Sequence, residues 1–264
     1  MKKFISLLLA LLLLLSLCGC GRENDSRYRT LSVVGARHYC SIFRGGDKLA
    51  PVVNAALEAL AGAGTLSALC AARLGSDRSC LDGDADALTG LEALPEPRTL
   101  IFGVESDFYP IAYRENGRIE GLCADIAAAV GELLGWEVMV LCITPDEVGD
   151  QLNSGNIDCA LGFDPAVVSA SKFTVGDTFL ESDVILAVPA DSEIRRVRDL
   201  AGCRVGTISD PVILKAVRSD EKLTKYAAGA TEYLSLSRCL DALEKGWCSA
   251  VVLDTLMLAF YRGE

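Results

Sequence analysis

Two carboxylates stand at the ends of apolar runs that predict β-strands. Glu105 follows "TLIFGV" at 99–104, and Asp254 ends "AVVLD". A carboxylate in this position is well placed for charge-assisted hydrogen bonds. Each also has a simpler interpretation: Glu105 as an exposed loop residue, and Asp254 as the N-cap of a helix that begins at Thr255.

Other residue types suited to holding a small molecule occur beside these strands. Phe108 in "ESDFYPIAY" offers a flat face for a side chain or a cation, unless it packs in the core. Thr207 and Ser209 in "TISDPVI" are candidate hydroxyl donors at a helix start. Gly162 leaves room for close backbone approach, and Asp164 after it is a further candidate unless it is simply solvated.

Metal and cofactor chemistry finds little support in the sequence. Asp82, Asp84 and Asp86 resemble the opening of a calcium loop, but Ala87 stands where the loop needs glycine. Ala93 likewise stands where the closing glutamate belongs, so a solvated linker is the favoured interpretation. His38 is the single histidine and no C-x-x-C pair occurs, which argues against zinc. We expect no metal and no cofactor.

The elements around these residues predict an α/β fold. Apolar strand runs at 99–104, 137–143, 158–163, 183–189, 203–208 and 249–254 alternate with helical patterns. The helix predicted at 121–135 places Ile126, Val130, Leu133 and Leu134 on one face. "VVNAALEALAGAGTLSAL" at 52–69 predicts two helices joined at Gly62 and Gly64, with Thr65 capping the second.

The N-terminus has the pattern of an export signal. Lys2 and Lys3 precede an apolar run at 4–17, which is too short to span a bilayer comfortably. The following "LCGC" resembles a bacterial lipobox and implies cleavage before Cys20 and acylation of its thiol; ordinary secretory cleavage is the alternative. We therefore predict a signal peptide at 1–19 and a lipidated tether at 20–30.

The composition indicates which partners are disfavoured and what role the cysteines have. The chain has 264 residues, 51% of them hydrophobic, and a net charge of -11, which disfavours nucleic acid as a partner. Eleven cysteines in an exported protein would usually suggest disulfides. However, Cys70, Cys142, Cys159 and Cys203 fall inside apolar patterns, so we interpret them as small buried hydrophobes.

Several segments together resemble the polar amino-acid family of bacterial extracellular solute-binding proteins, the receptors of ATP-driven importers. These segments are "LIFGVESDFYPIAYRENGRIEGLCADIAAAVGELLG", "QLNSGNIDCALG", "FLESDVILAVPADSEIRRVRDLAGCRVGT" and "CLDALEKGWCSAVVLDTLMLAFY". The resemblance implies a two-lobed, periplasmic-binding-protein-like (type II) α/β fold with two crossover hinge strands.

The order of the segments departs from that family. The strand, return crossover and helix pair that would close the family chain are similar to "TLSVVGARHYCSIFRGGDKLAPVVNAALEALAGAGTLSALCAARLG", which comes first here. We therefore predict a circular permutant; an unrelated helical appendage is the alternative. The predicted parts are the last second-lobe strand and return hinge at 31–44, closing helices at 45–75, a linker at 76–98, lobe 1 at 99–182, a hinge strand at 183–189 and lobe 2 at 190–264.

The resemblance also implies roles for the candidate residues. In the family an amino acid is held by an aromatic shelf, matched by Phe108, and by an acidic group for its ammonium, matched by Asp254. Glu105 matches an acidic position of members with basic ligands. The family's carboxylate-binding arginine has no match in "GFDPAVVSASKF", where Asp164 stands near an expected hydroxyl; Thr207 and Ser209 remain as donors.

These implications define the expected function. We expect a monomeric, lipid-anchored protein outside the plasma membrane, or in the periplasm of an organism with an outer membrane. It captures a small polar solute, an amino acid or related amine, for the permease of an ABC importer, and is not an enzyme. The alternatives are a dehydratase-like enzyme with Glu105 or Asp164 as general acid, and a sensing domain for a membrane partner.

Overall fold

The computed structural model describes residues 27–91, 96–105 and 107–261. The strands are β1 Tyr28–Arg44, β2 Thr99–Glu105, β3 Asp107–Phe108, β4 Ala112–Glu115, β5 Arg118–Glu120, β6 Glu137–Ile143, β7 Cys159–Phe163, β8 Phe173–Val175, β9 Leu180–Pro189, β10 Arg204–Ile208, β11 Gly229–Tyr233 and β12 Ala250–Asp254. The helices are α1 Leu49–Gly62, α2 Thr65–Leu74, α3 Leu122–Leu134, α4 Val148–Ser154, α5 Pro211–Ser219, α6 Glu221–Tyr226, α7 Leu236–Glu244 and α8 Thr255–Ala259.

The strand β1 joins the two halves of the main sheet. That sheet has the order β11-β10-β12-β9-β1-β7-β2-β6, and β8 also pairs with β1. Residues 28–39 of β1 pair antiparallel with β9, whereas residues 40–44 pair with β7 and β8. We use "first lobe" for β2, β6 and β7 with their helices, and "second lobe" for β10, β11 and β12 with theirs.

Each lobe is built from parallel strands connected by helices. In the first lobe β2 is parallel to both β6 and β7, and in the second β10 is parallel to both β11 and β12. Parallel neighbours require a crossover, which α3 supplies between β2 and β6. Ile126, Val130 and Leu134 of α3 are buried as predicted, but Leu133 is 42% exposed, so its predicted inward position is wrong.

The helix pair near the N-terminus packs on the first lobe. Leu57 and Leu60 of α1 belong to the same buried cluster as Phe102 of β2 and Ile126 of α3. The predicted cap at Thr65 is wrong, because the N-cap is Gly64, with φ 75°, and no side chain caps the helix. The chain turns in the left-handed conformation there, which glycine adopts readily, so Thr65 is already the first helical residue.

The segment after α2 is partly docked rather than simply solvated. Asp82, Asp84 and Asp86 are exposed, as predicted for a linker. However, Leu81, Leu88 and Leu91 pack against the main core, and the Cys80 N–H donates to the Phe179 carbonyl at 3.1 Å. The turn at Gly83 also touches the end of α1 at Gly62. Apolar leucines spaced among the acidic residues explain the difference from the prediction.

The nine cysteines of the described residues are all free thiols. Cys70 and Cys159 are buried as predicted, whereas Cys142 and Cys203 are partly exposed. Burial raises the pKa of the Cys70 thiol to about 11, which keeps it protonated and unreactive at neutral pH. The buried thiols act as small apolar side chains.

The sequence predicts a signal peptide at 1–19 and acylation of Cys20, which both concern the membrane. The predicted signal peptide and Cys20 lie outside the described residues. Within the ranges that the structure describes, no single helix has the length and apolar character to cross a membrane. The helices α1 and α2 meet that test only as a pair, and they are bent by 77°.

The docked segment predicts a stability effect for Gly83→Ala. A Cβ at Gly83 would lie 2.0 Å from the Gly62 backbone nitrogen, so backbone must move. We expect a loss of about 1–3 kcal/mol in the free energy of unfolding, measured by thermal denaturation. Gly90→Ala is the matched control, because no atom lies within 4 Å of its added Cβ. Equal melting temperatures for the two variants would contradict the docking.

Candidate functional site

A cavity of about 500 Å³ lies between the two lobes, a volume typical of small-molecule sites. The ends of β2 and β10, the starts of α5 and α7, and the second half of α8 with the residues after it meet around the cavity. Its lining consists of Glu105, Asp107, Phe108, Tyr109 and Pro145 on one side and Ile208, Ser209, Asp210, Leu234, Ser235, Leu236, Ser237, Met257, Phe260 and Tyr261 on the other.

Beneath the cavity, Arg37 of β1 forms ion pairs with two aspartates of the second lobe. Its Nη2 lies 2.6 Å from Asp210 Oδ2, and its Nε lies 3.3 Å from Asp254 Oδ2. The second contact is a charge contact, because the Nε–H is not aligned as a hydrogen bond. Arg37 is only 2% exposed. Burial alone would lower its pKa, but Asp210, Tyr39 and Asp254 outweigh burial and the pKa is raised.

Asp254 has the capping role that the sequence left open, and its second carboxylate oxygen is engaged by the protein's own side chains. Its Oδ1 accepts the Leu256 N–H at 2.7 Å and so caps α8, while its Oδ2 accepts the Ser182 hydroxyl and faces Arg37. Burial raises the pKa of this carboxyl, against the lowering effects of Arg37, Ser182 and the helix N–H groups. A fully buried carboxylate with these partners has little capacity left for a ligand ammonium.

Asp210 repeats this arrangement one strand away. Its Oδ1 caps α5 by accepting the Val212 and Ile213 N–H groups at 2.9 and 3.0 Å. Its Oδ2 accepts a hydrogen bond from Arg37 Nη2. Unlike Asp254, Asp210 also lines the cavity. Arg37 therefore holds together the starts of two helices through the carboxylates that cap them.

The aromatic floor of the site is part of the same network. Phe108 is buried, with Arg37 Cζ 5.6 Å from its ring centroid, and its ring contacts that of Tyr39 at 6.1 Å between centroids. The Tyr39 hydroxyl lies 3.3 Å from Ser182 Oγ. Burial raises the pKa of Tyr39 well above its usual value. The cation that Phe108 faces is thus the protein's own guanidinium, although its ring also lines the cavity.

Glu105 is the half-buried carboxyl at the end of β2, and it also lines the cavity. Burial raises its pKa to about 7, Arg37 opposes the shift, and Asp210, Asp254 and Asp107 add to it. Its charge therefore changes near neutral pH, which the simple interpretation as an exposed loop residue does not predict.

The other four predicted residues divide between lining and structural positions. Ser209 lines the cavity, but Thr207 is fully buried, with its Oγ1 3.4 Å from the Val252 carbonyl oxygen. Asp164 is buried away from the lining, where it accepts the His38 and Ala166 N–H groups, each at 2.8 Å.

Gly162 is also a structural position. Its φ is +83°, and an added Cβ would lie 2.3 Å from Cys123 Sγ. The structure therefore brings together Glu105, Phe108 and Ser209 at the cavity. It does not bring Gly162, Asp164, Thr207 and Asp254 into the lining, because tight packing or other groups of the protein already engage them.

Arg37 and Asp210 are the residues that the sequence reasoning missed. The loop that carries the family's arginine has none in this sequence, and the buried arginine lies instead on β1. A signal existed: Arg37 interrupts the otherwise apolar strand "LSVVGARHYCSIF", and a charge in a buried strand needs a partner. For Asp210 the signal was its position as an aspartate directly before a proline at a helix start, where aspartate is a preferred N-cap.

Among the described residues, no group of three or more histidine, cysteine or acidic side chains could hold a metal.

Comparison with known proteins identifies the family. The sequence profile of the bacterial extracellular solute-binding proteins, family 3, matches residues 100–250, more than half of the chain. The chain belongs to this family. The solute-binding protein is also 26% identical over 110 residues to the arginine-binding extracellular protein ArtP of Bacillus subtilis. That alignment covers 41% of this chain and 43% of ArtP, so the match spans less than half of the relative.

Solved structures establish the fold of the solute-binding protein. A substrate-binding protein of an ABC uptake transporter from Streptococcus pneumoniae, with bound histidine, has a TM-score of 0.53 at 20% identity. The alignment covers 62% of this chain and 68% of that one. An ancestral amino acid-binding protein, a precursor of cyclohexadienyl dehydratase, has a TM-score of 0.52 at 22% identity. The alignment covers 62% of this chain and 73% of that one. The fold is therefore periplasmic-binding-protein-like, as expected.

The raised pKa of Glu105 predicts a pH-dependent effect of Glu105→Gln. Between the usual glutamate value near 4.5 and about 7 the native solute-binding protein binds more protons than the unfolded chain, so Glu105 lowers stability as pH rises through that window. We expect the variant to melt like wild type at pH 4.5 and about 2–6 °C higher at pH 8. Exposed Glu193→Gln is the control. A difference that does not change with pH would contradict the prediction.

Proposed function

We propose that this chain captures a small amine-bearing solute, an amino acid or a related amine, in the cavity between its lobes and delivers it to an ABC importer. The observation that carries the proposal is the charge of the cavity. Glu105, Asp107 and Asp210 line it, and none of its lining residues is basic within the part of the chain that the structure describes. Closure of two lobes on a solute requires contacts from both sides, and the lining supplies Glu105 and Asp107 from one side and Ser209, Leu236 and Phe260 from the other.

Membership of an extracellular family and the arginine-binding relative support the importer role. We propose that acylation of Cys20 anchors the protein outside the plasma membrane, or on the periplasmic side where an outer membrane exists. The permease of the importer is the proposed partner, and the protein acts as a monomer. The acidic cavity attracts cations by the same field that disfavours nucleic acid.

We also propose that the chain is a circular permutant of its family. In support, β1 occupies the centre of the main sheet although it precedes the family-matched region 100–250. Tyr28 and Tyr261 pack against one apolar cluster, so the present ends of the described chain are close enough to be rejoined. The docked segment 76–91 connects α2 toward β2, where the family's own ends would meet. Permutation is tolerated when ends lie together at the surface.

A dehydratase-like enzyme is a second candidate, because Glu105 lines the cavity with a pKa of about 7. A carboxyl that is partly protonated near neutral pH is suited to general acid catalysis. Recovery of a bound solute unchanged after long incubation favours the binding protein. Release of water and a new product, lost in Glu105→Gln, favours the enzyme.

The binding proposal predicts stabilisation by amines. Protein lacking residues 1–20 is screened by thermal shift against amino acids, diamines, polyamines and sugars. A ligand at 100 times its dissociation constant adds about 2.7 kcal/mol, or roughly 5–10 °C for a chain of this size. We expect this shift from at least one amine and expect Asp107→Asn to reduce it, whereas exposed Asp191→Asn, outside the cavity lining, leaves it unchanged. A response to sugars alone would contradict the proposal.

The permutation predicts that a reordered chain folds. In the reordered protein, residues 96–261 come first. A flexible linker of about eight residues, which reaches up to roughly 27 Å, follows them and leads into residues 28–91. We expect circular dichroism and a cooperative melt close to those of the natural order. Residues 96–261 alone should not fold, because the strand at the centre of the sheet is removed. Folding of 96–261 alone would identify residues 28–75 as an appendage and contradict the permutation.

A further inference from the structure

An incoming carboxylate finds no free basic side chain in the described part of the cavity. Among the described residues, no lysine, arginine or histidine lines the cavity. The arginine nearest to the floor, Arg37, is buried and directs Nη2 to Asp210 and Nε to Asp254. A guanidinium that already serves two carboxylates cannot also clamp a ligand carboxylate through a bidentate pair without giving up one of them.

Helix N-termini are the other common carboxylate sites, and here they are engaged by the protein's own side chains. At α5 the Val212 and Ile213 N–H groups bond to Asp210 Oδ1, which is itself negative. At α7 the Ser235 hydroxyl oxygen accepts the Arg238 N–H at 3.3 Å. The first N–H groups of α5 are therefore already paired with a negative group, and at α7 the Arg238 N–H is paired with a hydroxyl.

A cation, in contrast, finds complementary groups around the cavity. The carboxylate of Asp107 is exposed at the lining, and Glu105 lies beside it. Tyr109 and Phe260, whose ring centroids are 6.3 Å apart, place aromatic rings from both lobes in the same lining. Rings of this kind attract organic cations, and Ile208, Leu236 and Met257 add apolar surface for a carbon chain.

From these contacts we infer that the cavity selects organic amines that carry no carboxylate, such as diamines and arylalkyl amines, over the amino acids from which they differ by that group. The inference rests on the proposed function and restricts its ligand class. In the proposed complex, Arg37 occupies the position of a cation between Asp210 and Asp254. The ligand ammonium lies farther from that pair, next to Asp107 and Glu105.

The test is isothermal titration calorimetry at pH 8 with pairs of compounds that differ only in the carboxylate. The pairs are agmatine and arginine, putrescine and ornithine, cadaverine and lysine, and phenethylamine and phenylalanine. We expect at least one amine to bind at least tenfold more tightly than its amino acid. Asp107→Asn should weaken that amine about tenfold, a change typical of losing one charged partner, while Asp191→Asn should not change it.

Three outcomes separate this inference from the proposed function. Tighter binding of the amine, dependent on Asp107, supports both. Tighter binding of the amino acid in the pairs that bind overturns the inference and leaves the proposed function standing. No binding of any compound in the four pairs overturns the inference and removes the support for an amine-binding function.

Discussion

The ion pairs of Arg37 with Asp210 and Asp254 are the interaction on which the centre of this structure depends. The guanidinium comes from β1, which pairs with both halves of the sheet, and the two carboxylates cap the helices that follow β10 and β12. All three side chains are buried, so each charge depends on the others for the solvation that water would otherwise provide. Ser182 extends the network to β9 and Tyr39.

This network also determines which chemistry is left for the cavity. Asp254, the position that the family resemblance assigns to a ligand ammonium, is occupied by the protein's own cation. The lining itself is negative, aromatic and apolar, with the hydroxyls of Ser209, Ser235 and Ser237, and burial raises the pKa of its Glu105 to about 7. Under the function we propose, binding of a positively charged solute near pH 7 would be coupled to the ionisation of Glu105.

The sequence predicted the elements better than the site. Apolar runs of β-branched residues located β2, β6, β7, β9, β10 and β12, because burial dictates those patterns locally. The short strands β3, β4, β5 and β8 and the edge strand β11 were missed, since short or half-exposed strands carry little pattern. Asp254 was identified because it ends a strand, but its partner Arg37 is 217 positions earlier in the chain. Pairing over that separation is a property of the tertiary fold. The motif positions of Asp164 and Gly162 do not reveal the backbone donors and the close side chain that these residues contact away from the cavity lining.

The most direct test of this account is the free energy of unfolding of Arg37→Met measured from pH 3 to pH 8, beside exposed Arg118→Met. Removing the cation leaves two buried carboxylates without their counter-charge, so we predict a loss of about 3–5 kcal/mol at pH 7. The loss should shrink at low pH, where the carboxyls take up protons and need no counter-charge. A loss below about 1 kcal/mol, or one that matches Arg118→Met at every pH, would contradict the central role of Arg37.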